Sequence, residues 1–154
     1  LRHILTGILE KPPALALQQA IYQGSVAALN IAGKKFPVDN IPFFWTRQFN
    51  NSLVFTGVTK GWDDIHIVGD LAEMKFVAYY IRKSDDKVLG AAAMNSLNKI
   101  QLINAAMKNG VMPNATQIKN PSFDLDGLLK EIKKKDPSAP DALLVNEALI
   151  MYLI

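Results

Sequence analysis

Side chains that could carry acid–base or metal chemistry are few in this chain, and they do not cluster in the sequence. The two histidines, His3 and His66, lie in different segments, and His66 alternates with Ile65 and Ile67 in a strand-like run. A metal site needs several ligands that converge on one point. We therefore interpret His66 as a surface or hydrogen-bonded residue and predict no metal site.

Two acidic groupings have the composition, but not the spacing, of a functional site. Asp63 and Asp64 could be a general acid and base, yet neighbouring residues of a strand point to opposite faces, so we interpret them as a turn. Asp124, Asp126 and Gly127 resemble the start of a calcium loop, but the spacing and the closing glutamate do not match, which favours a helix start. We predict no catalytic residue.

Composition narrows the class of protein further. The chain has 154 residues, of which 49% are hydrophobic and 20% charged, as expected for one globular domain with a packed core. It has no cysteine, which excludes thiol catalysis, disulfides and cysteine-ligated clusters. With a net charge of +3 and only one basic run, Lys133 to Lys135, no nucleic-acid partner is expected. No apolar run is long enough to cross a bilayer.

Local patterns predict a mixed α+β fold. Alanine, leucine and glutamine predict a first helix over Ala14–Ala32, and the two prolines in Lys34–Asn51 favour a buried crossing loop. Four runs then have strand character, with a hairpin break at Ser84–Asp86: Leu53–Val58, Asp64–Val68, Met74–Arg82 and Lys87–Met94. We expect an antiparallel sheet of about four to five strands.

Helical spacing returns after Asn95. It predicts a helix that starts near Leu97 and ends at Asn109 and Gly110, followed by extra C-terminal helices over Asp124–Lys135 and Ser138–Ile154. We divide the chain into a domain over residues 1–110 and a helical extension over residues 111–154, packed on that domain or on a partner.

Several segments in order resemble the C-terminal domain of a known enzyme family. They are IPFFWTRQFNNSLVFTG from Ile41, GWDDIHIVGD from Gly61, MKFVAYY from Met74 and VLGAAAMN from Val88. Together they are similar to the reductase C-terminal domain of flavin-dependent pyridine-nucleotide reductases of the apoptosis-inducing-factor-like and ferredoxin-reductase type. The resemblance covers about residues 14–110. In it Gln18–Asn30 is similar to the last helix of the flavin domain, which implies that residues 14–33 are a remnant of that helix.

The same resemblance indicates what is missing. The family presents a carboxylate to the ribityl chain of FAD from a strand that ends in Ala-Gly-Asp, whereas the corresponding stretch here is Thr6, Gly7, Ile8. Isoleucine cannot accept that hydrogen bond. No G-x-G-x-x-G phosphate loop occurs in the chain. We predict no FAD or NAD(P)H site in this chain alone.

Trp45 matches a family position that is tied to redox chemistry. The resemblance implies that its indole lies near the flavin at a domain junction. That interpretation needs a flavin supplied by another part of the molecule. The alternative is a core tryptophan between helix and sheet, and packing also explains Phe43, Phe44 and Trp62.

We expect a non-catalytic structural or accessory subunit, built from a flavoprotein reductase C-terminal domain, that contacts other protein subunits of a larger complex. The resemblance implies a mitochondrial location, in a respiratory or energy-converting complex. The alternative is the C-terminal piece of an active FAD-dependent NAD(P)H oxidoreductase, and a homodimerising module is a third possibility. The first residue, Leu1, fits either a processed protein or a piece of a longer one.

Overall fold

A five-stranded antiparallel sheet with helices on one face forms the body of the protein. The computed structural model describes residues 16–135, apart from residues 39, 59 and 126. The sheet has the order β1-β2-β5-β4-β3, and all of its pairings are antiparallel, which confirms the predicted α+β fold. The elements are α1 (Ala16–Ile31), β1 (Phe43–Gln48), β2 (Asn51–Gly57), β3 (Asp64–Asp70), β4 (Lys75–Arg82), β5 (Lys87–Met94), α2 (Leu97–Lys108), α3 (Ala115–Lys119) and α4 (Leu128–Lys135).

Apart from shifts of one or two residues at the ends of elements, three features differ from the sequence prediction. The expected crossing loop over Lys34–Asn51 contains the edge strand β1, because Phe43 and Trp45 pack on one face of the sheet while Phe44 packs on the other. With apolar residues on both faces, the alternation that identifies a strand is lost. The short helix α3 was not predicted, and α4 begins at Leu128 rather than Asp124. The predicted helix over Ser138–Ile154 lies outside the described residues.

The helix side of the sheet contains the larger core. Ile100 and Ile103 of α2 pack against Val54, Val77 and Ala93 from three neighbouring strands. Helix α4 then packs on α2 through a second group of buried residues, namely Leu102, Ala106, Leu128 and Ile132. Sheet, α2 and α4 therefore form successive layers.

Small residues in β5 allow these layers to approach closely. Ala91, Ala92 and Ala93 are buried at the centre of the sheet. Gly57 of β2 lies opposite Gly90 of β5, and a Cβ atom on Gly57 would be 2.5 Å from the Gly90 Cα. No side chain larger than hydrogen fits at that point, so the pair sets the spacing of the two strands.

Asn95, the residue after β5, connects the ends of three strands. Its Oδ1 accepts a hydrogen bond from the Ser52 amide at 2.8 Å, and its Nδ2 donates to Asn51 Oδ1 at 2.9 Å and to the Met74 carbonyl at 3.1 Å. Its backbone has a φ of 49°, which asparagine tolerates better than most residues. One side chain thus fixes β2, β4 and β5 at the same end of the sheet.

We expect Asn95→Ala to lower the free energy of unfolding by about 2 kcal/mol or more, because it removes the hydrogen bonds of this side chain and puts alanine in the left-handed region. Urea unfolding followed by circular dichroism measures the change. Asn98→Ala, in the first turn of α2 and exposed, is the control and should differ little from the wild type. Equal stability of the two variants would contradict the role given to Asn95.

The turn between β1 and β2 carries an unusual residue. Phe49 and Asn50 both have positive φ, 49° and 65°, and they form the two-residue loop between the paired Gln48 and Asn51. Such loops favour asparagine and glycine. Phe49 is nevertheless 94% exposed, so packing does not offset its conformational cost.

We expect Phe49→Asn to raise the free energy of unfolding by about 1 kcal/mol, because asparagine adopts a positive φ at lower cost than phenylalanine. The midpoint of urea unfolding reports the change. An equal gain from Val38→Asn, which removes an exposed apolar side chain from a residue with ordinary φ, would show that surface polarity and not the turn is responsible.

Candidate functional site

The aromatic motif around Trp45 lies on an edge strand of the sheet. Trp45 pairs with Val54 of β2, is half-buried, and packs with Phe43 against the helix-side core. Phe44 packs on the other face against Phe55 and its neighbours. Packing therefore explains the buried part of the indole, and the remaining part is accessible at the edge of the sheet.

A chain of polar contacts holds the start of β1 in place. Thr56 is fully buried, and its Oγ1 accepts a hydrogen bond from Asn104 Nδ2 at 2.6 Å and donates one to the Pro42 carbonyl at 3.2 Å. The Gly57 amide donates to the same carbonyl at 2.9 Å. Helix α2 thus positions Pro42 and the aromatic residues that follow it. Sequence reasoning missed this contact, because Asn104 and Thr56 are 48 positions apart and neither belongs to a recognisable motif.

Two consecutive tyrosines of β4 have their side chains on opposite faces of the sheet. Tyr79 belongs to the helix-side core and Tyr80 to the opposite cluster, where its ring meets Trp62 and Phe55 edge-on with centroids 5.4 Å and 6.1 Å away. Among the described residues, no group forms a hydrogen bond with the Tyr80 hydroxyl. Burial raises the pKa of both phenols to about 12. Both tyrosines are therefore neutral under physiological conditions.

The acidic candidates have structural partners. Asp63 Oδ1 accepts a hydrogen bond from the Lys83 amide at 2.8 Å, and Asp64 forms an ion pair with Lys119 at 2.8 Å. The hydrogen bond from Lys119 lowers the pKa of Asp64. Asp64 begins β3 and Asp63 precedes it, so the expected turn extends only as far as Asp63. Each carboxylate therefore has its own structural partner, and nothing in their contacts resembles an acid–base pair.

His66 lies on β3, as expected, where its ring stacks on Tyr79 with centroids 6.5 Å apart. In the part of the chain that the structure describes, no three histidine, cysteine or acidic side chains are grouped as metal ligands would be. His3, Ile8 and Asp126 lie outside the described residues. In the same part of the chain, no helix has the length and hydrophobicity of a membrane span.

The described fold has no element of the kind that holds a dinucleotide. Such a cradle forms where a helix connects two parallel strands, and the phosphates of the dinucleotide bind at the N-terminus of that helix. Every strand pairing described here is antiparallel. The described residues therefore include no dinucleotide cradle of this kind, and the prediction that this chain alone binds no flavin stays a prediction.

Fold and motif together are those of a reductase C-terminal domain. The reductase C-terminal family model matches residues 43–129, more than half of the chain, so the chain belongs to this family. This confirms the resemblance noted in the sequence. The match runs past residue 110 and so includes α3 and the start of α4; the division of the chain at that point stays a prediction.

Individual relatives agree with this assignment. Apoptosis-inducing factor 3 from Mus musculus and from Homo sapiens are each 42% identical over 78 residues, which is 51% of this chain. A ferredoxin reductase from Rhodopseudomonas palustris superposes with a TM-score of 0.58 at 26% identity and covers 68% of this chain. Putidaredoxin reductase in covalent complex with putidaredoxin superposes with a TM-score of 0.64 over 74% of this chain, and at 23% identity it supports the fold alone.

The relatives are much larger than the part they share with this chain. The aligned region is 13% of both apoptosis-inducing factor 3 proteins, 26% of the Rhodopseudomonas reductase and 27% of putidaredoxin reductase. Most of each relative therefore has no counterpart in the 154 residues.

The tyrosine pKa values predict a loss of stability in alkali. Because the unfolded chain loses these protons near pH 10 and the folded chain keeps them to about pH 12, the free energy of unfolding falls between pH 10 and 12 and is unaffected by them below pH 10. The loss reaches about 2 to 3 kcal/mol per tyrosine.

Urea unfolding of the wild type and of Tyr79→Phe/Tyr80→Phe at pH 9 and pH 11.5 tests this effect. The variant should lose clearly less stability than the wild type over that interval, and the lysines, which also titrate there, are common to both proteins. An identical loss in the two proteins would mean that the phenols are not the groups responsible.

Proposed function

We propose that this domain is the C-terminal domain of an FAD-dependent pyridine-nucleotide reductase, and that it contacts the flavin-binding unit without itself binding the cofactor. The observation that carries the proposal is the aromatic motif on β1, where a half-buried Trp45 lies on an edge strand held by α2. The proposal is supported by 42% identity to apoptosis-inducing factor 3 in the shared region.

The chain also has an apolar surface suited to a neighbouring unit. Ile21 and Ile31 of α1 are 61% and 88% exposed, and Phe36 and Val38 in the following loop are exposed too. The Asn30 side chain holds that loop against α1, by accepting from the Phe36 amide at 2.7 Å and donating to its carbonyl at 3.0 Å. Since the family resemblance compares this helix with the last helix of a flavin domain, we infer that this surface contacts the flavin-binding unit.

In the proposed arrangement, the residues of this domain cover the flavin site and exclude water from it, and they take no direct part in the reaction. FAD, when bound by the neighbouring unit, would supply hydride and electron transfer. Trp45 would cover one side of the site and keep water from it, and the Thr56–Asn104 contact would hold Trp45 in register. No residue of this domain is assigned an acid, base or nucleophile role.

The position of Trp45 can be tested in the native protein that contains this domain and its flavin. Indole is easily oxidised and quenches flavin fluorescence at contact distance. We therefore expect Trp45→Phe to lengthen the flavin fluorescence lifetime, while Trp62→Phe, which changes the chain's other tryptophan, leaves it unchanged. Equal lifetimes for wild type and Trp45→Phe would refute the contact.

A second candidate is the accessory subunit, favoured by Ile8 at the position where the family resemblance places a carboxylate for FAD. In this case the same surface of α1 would contact a separate protein subunit, and the location expected from the resemblance is the mitochondrion.

Affinity purification of the native protein from source tissue, with an antibody raised against this domain, separates the two candidates. A polypeptide several times longer with a flavin absorption spectrum supports the reductase. A short polypeptide without flavin, in stable ratio with other subunits and enriched in mitochondria, supports the accessory subunit. A short, flavin-free monomer contradicts both.

A further inference from the structure

A cleft on the helix side of the sheet, away from Trp45, has the features of a ligand site. Its volume is about 420 Å³, and it lies between β3 and β4 on one side and the segment from Ile118 to Leu125 on the other. Here we call it the β3 cleft, and its lining includes His66, Val68, Tyr79, Lys99, Lys119 and Phe123. Pockets of about 300 to 1,000 Å³ hold small organic ligands.

The fold explains why this space is open. Helix α2 packs mainly over β2 and β5, whereas the segment that follows α3 borders the outer strands. Val77 and Ile118 are buried in the floor, yet Val68, on the same face of the sheet, is 41% exposed. The cleft therefore presents apolar surface that the described residues do not cover.

Three aromatic rings belong to the lining, those of His66, Tyr79 and Phe123. His66 stacks on Tyr79 at an interplanar angle of 24°, and the half-buried Phe123 lies among the lining residues on the opposite wall. Flat rings and valine side chains favour a planar apolar group over an extended polar one.

The charges in the lining favour one negative charge on the ligand. Lys119 is already paired with Asp64, while Lys99 is exposed and makes no ion pair with any residue in the described part of the chain. A monoanion that reaches Lys99 while its ring stays in the cleft matches this single available lysine.

We propose that the β3 cleft binds a small aromatic carboxylate, with the ring between β3 and Phe123 and the carboxylate at Lys99. The proposal is independent of the proposed function, since the cleft lies at the β3 edge of the sheet and Trp45 lies on β1, at the other edge.

Naphthalene-2-carboxylate is a suitable probe, added to the purified, ¹⁵N-labelled 154-residue chain. We expect saturable binding with a dissociation constant below about 1 mM, and amide shift changes confined to residues 66–68, 77–79 and 118–125 and to Lys99 and its neighbours. The neutral analogue 2-naphthylmethanol should bind about fivefold more weakly because it cannot pair with Lys99.

Two substitutions test the geometry. Lys99→Gln should weaken binding of the carboxylate about fivefold and leave 2-naphthylmethanol unaffected, whereas Lys60→Gln, an exposed lysine outside the cleft, should change neither. Val68→Trp should abolish both by filling the space.

Shift changes that centre on the exposed apolar surface of α1, no saturation, or equal affinity for the acid and the alcohol would each overturn the proposal. Because the comparison of acid and alcohol needs only the wild type, the test does not depend on whether a variant folds.

Discussion

The close approach of β2 and β5 is the constraint on which the rest of the structure depends. It requires glycine at both Gly57 and Gly90, and a Cβ on Gly57 would collide with the backbone of β5. The alanines that follow Gly90 keep the same strand thin on both faces, so α2 can pack directly on the centre of the sheet. A bulky side chain at either glycine would separate the strands and move the helix with them.

Through α2, the close approach of β2 and β5 also affects the edge strand β1, which carries Phe43, Phe44 and Trp45. Asn104 projects from the helix to Thr56, and Thr56 holds the carbonyl of Pro42 at the start of β1. A buried hydroxyl with both its donor and acceptor functions satisfied is rigid, because breaking either contact leaves a polar group unpaired in the core. A residue in a different layer of the domain thus holds the start of the strand that carries Trp45.

Most of the sheet, helix α2 and the family could be predicted from the sequence, and the features that were missed have physical causes. Strands β2 to β5 and helix α2 were predicted because alternation and helical spacing are local signals, and the aromatic and glycine-rich segments indicated the family. Strand β1 was missed because apolar residues on both of its faces conceal the alternation. The Thr56–Asn104 contact and the β3 cleft could not be predicted, since both arise from residues that only the folded topology brings together.

The two candidate functions require contact surfaces of different size on this domain. In a single-chain reductase, the covalent connection raises the effective concentration of the flavin unit, so a modest contact surface suffices. In a separate subunit, the same contact must overcome the loss of translational and rotational freedom, which requires a larger apolar interface. The exposed apolar residues of this surface are the two isoleucines of α1, Ile21 and Ile31, together with Phe36 and Val38. Four such residues are few by the standard of stable complexes. The size of this surface in the described residues therefore favours the covalently connected arrangement.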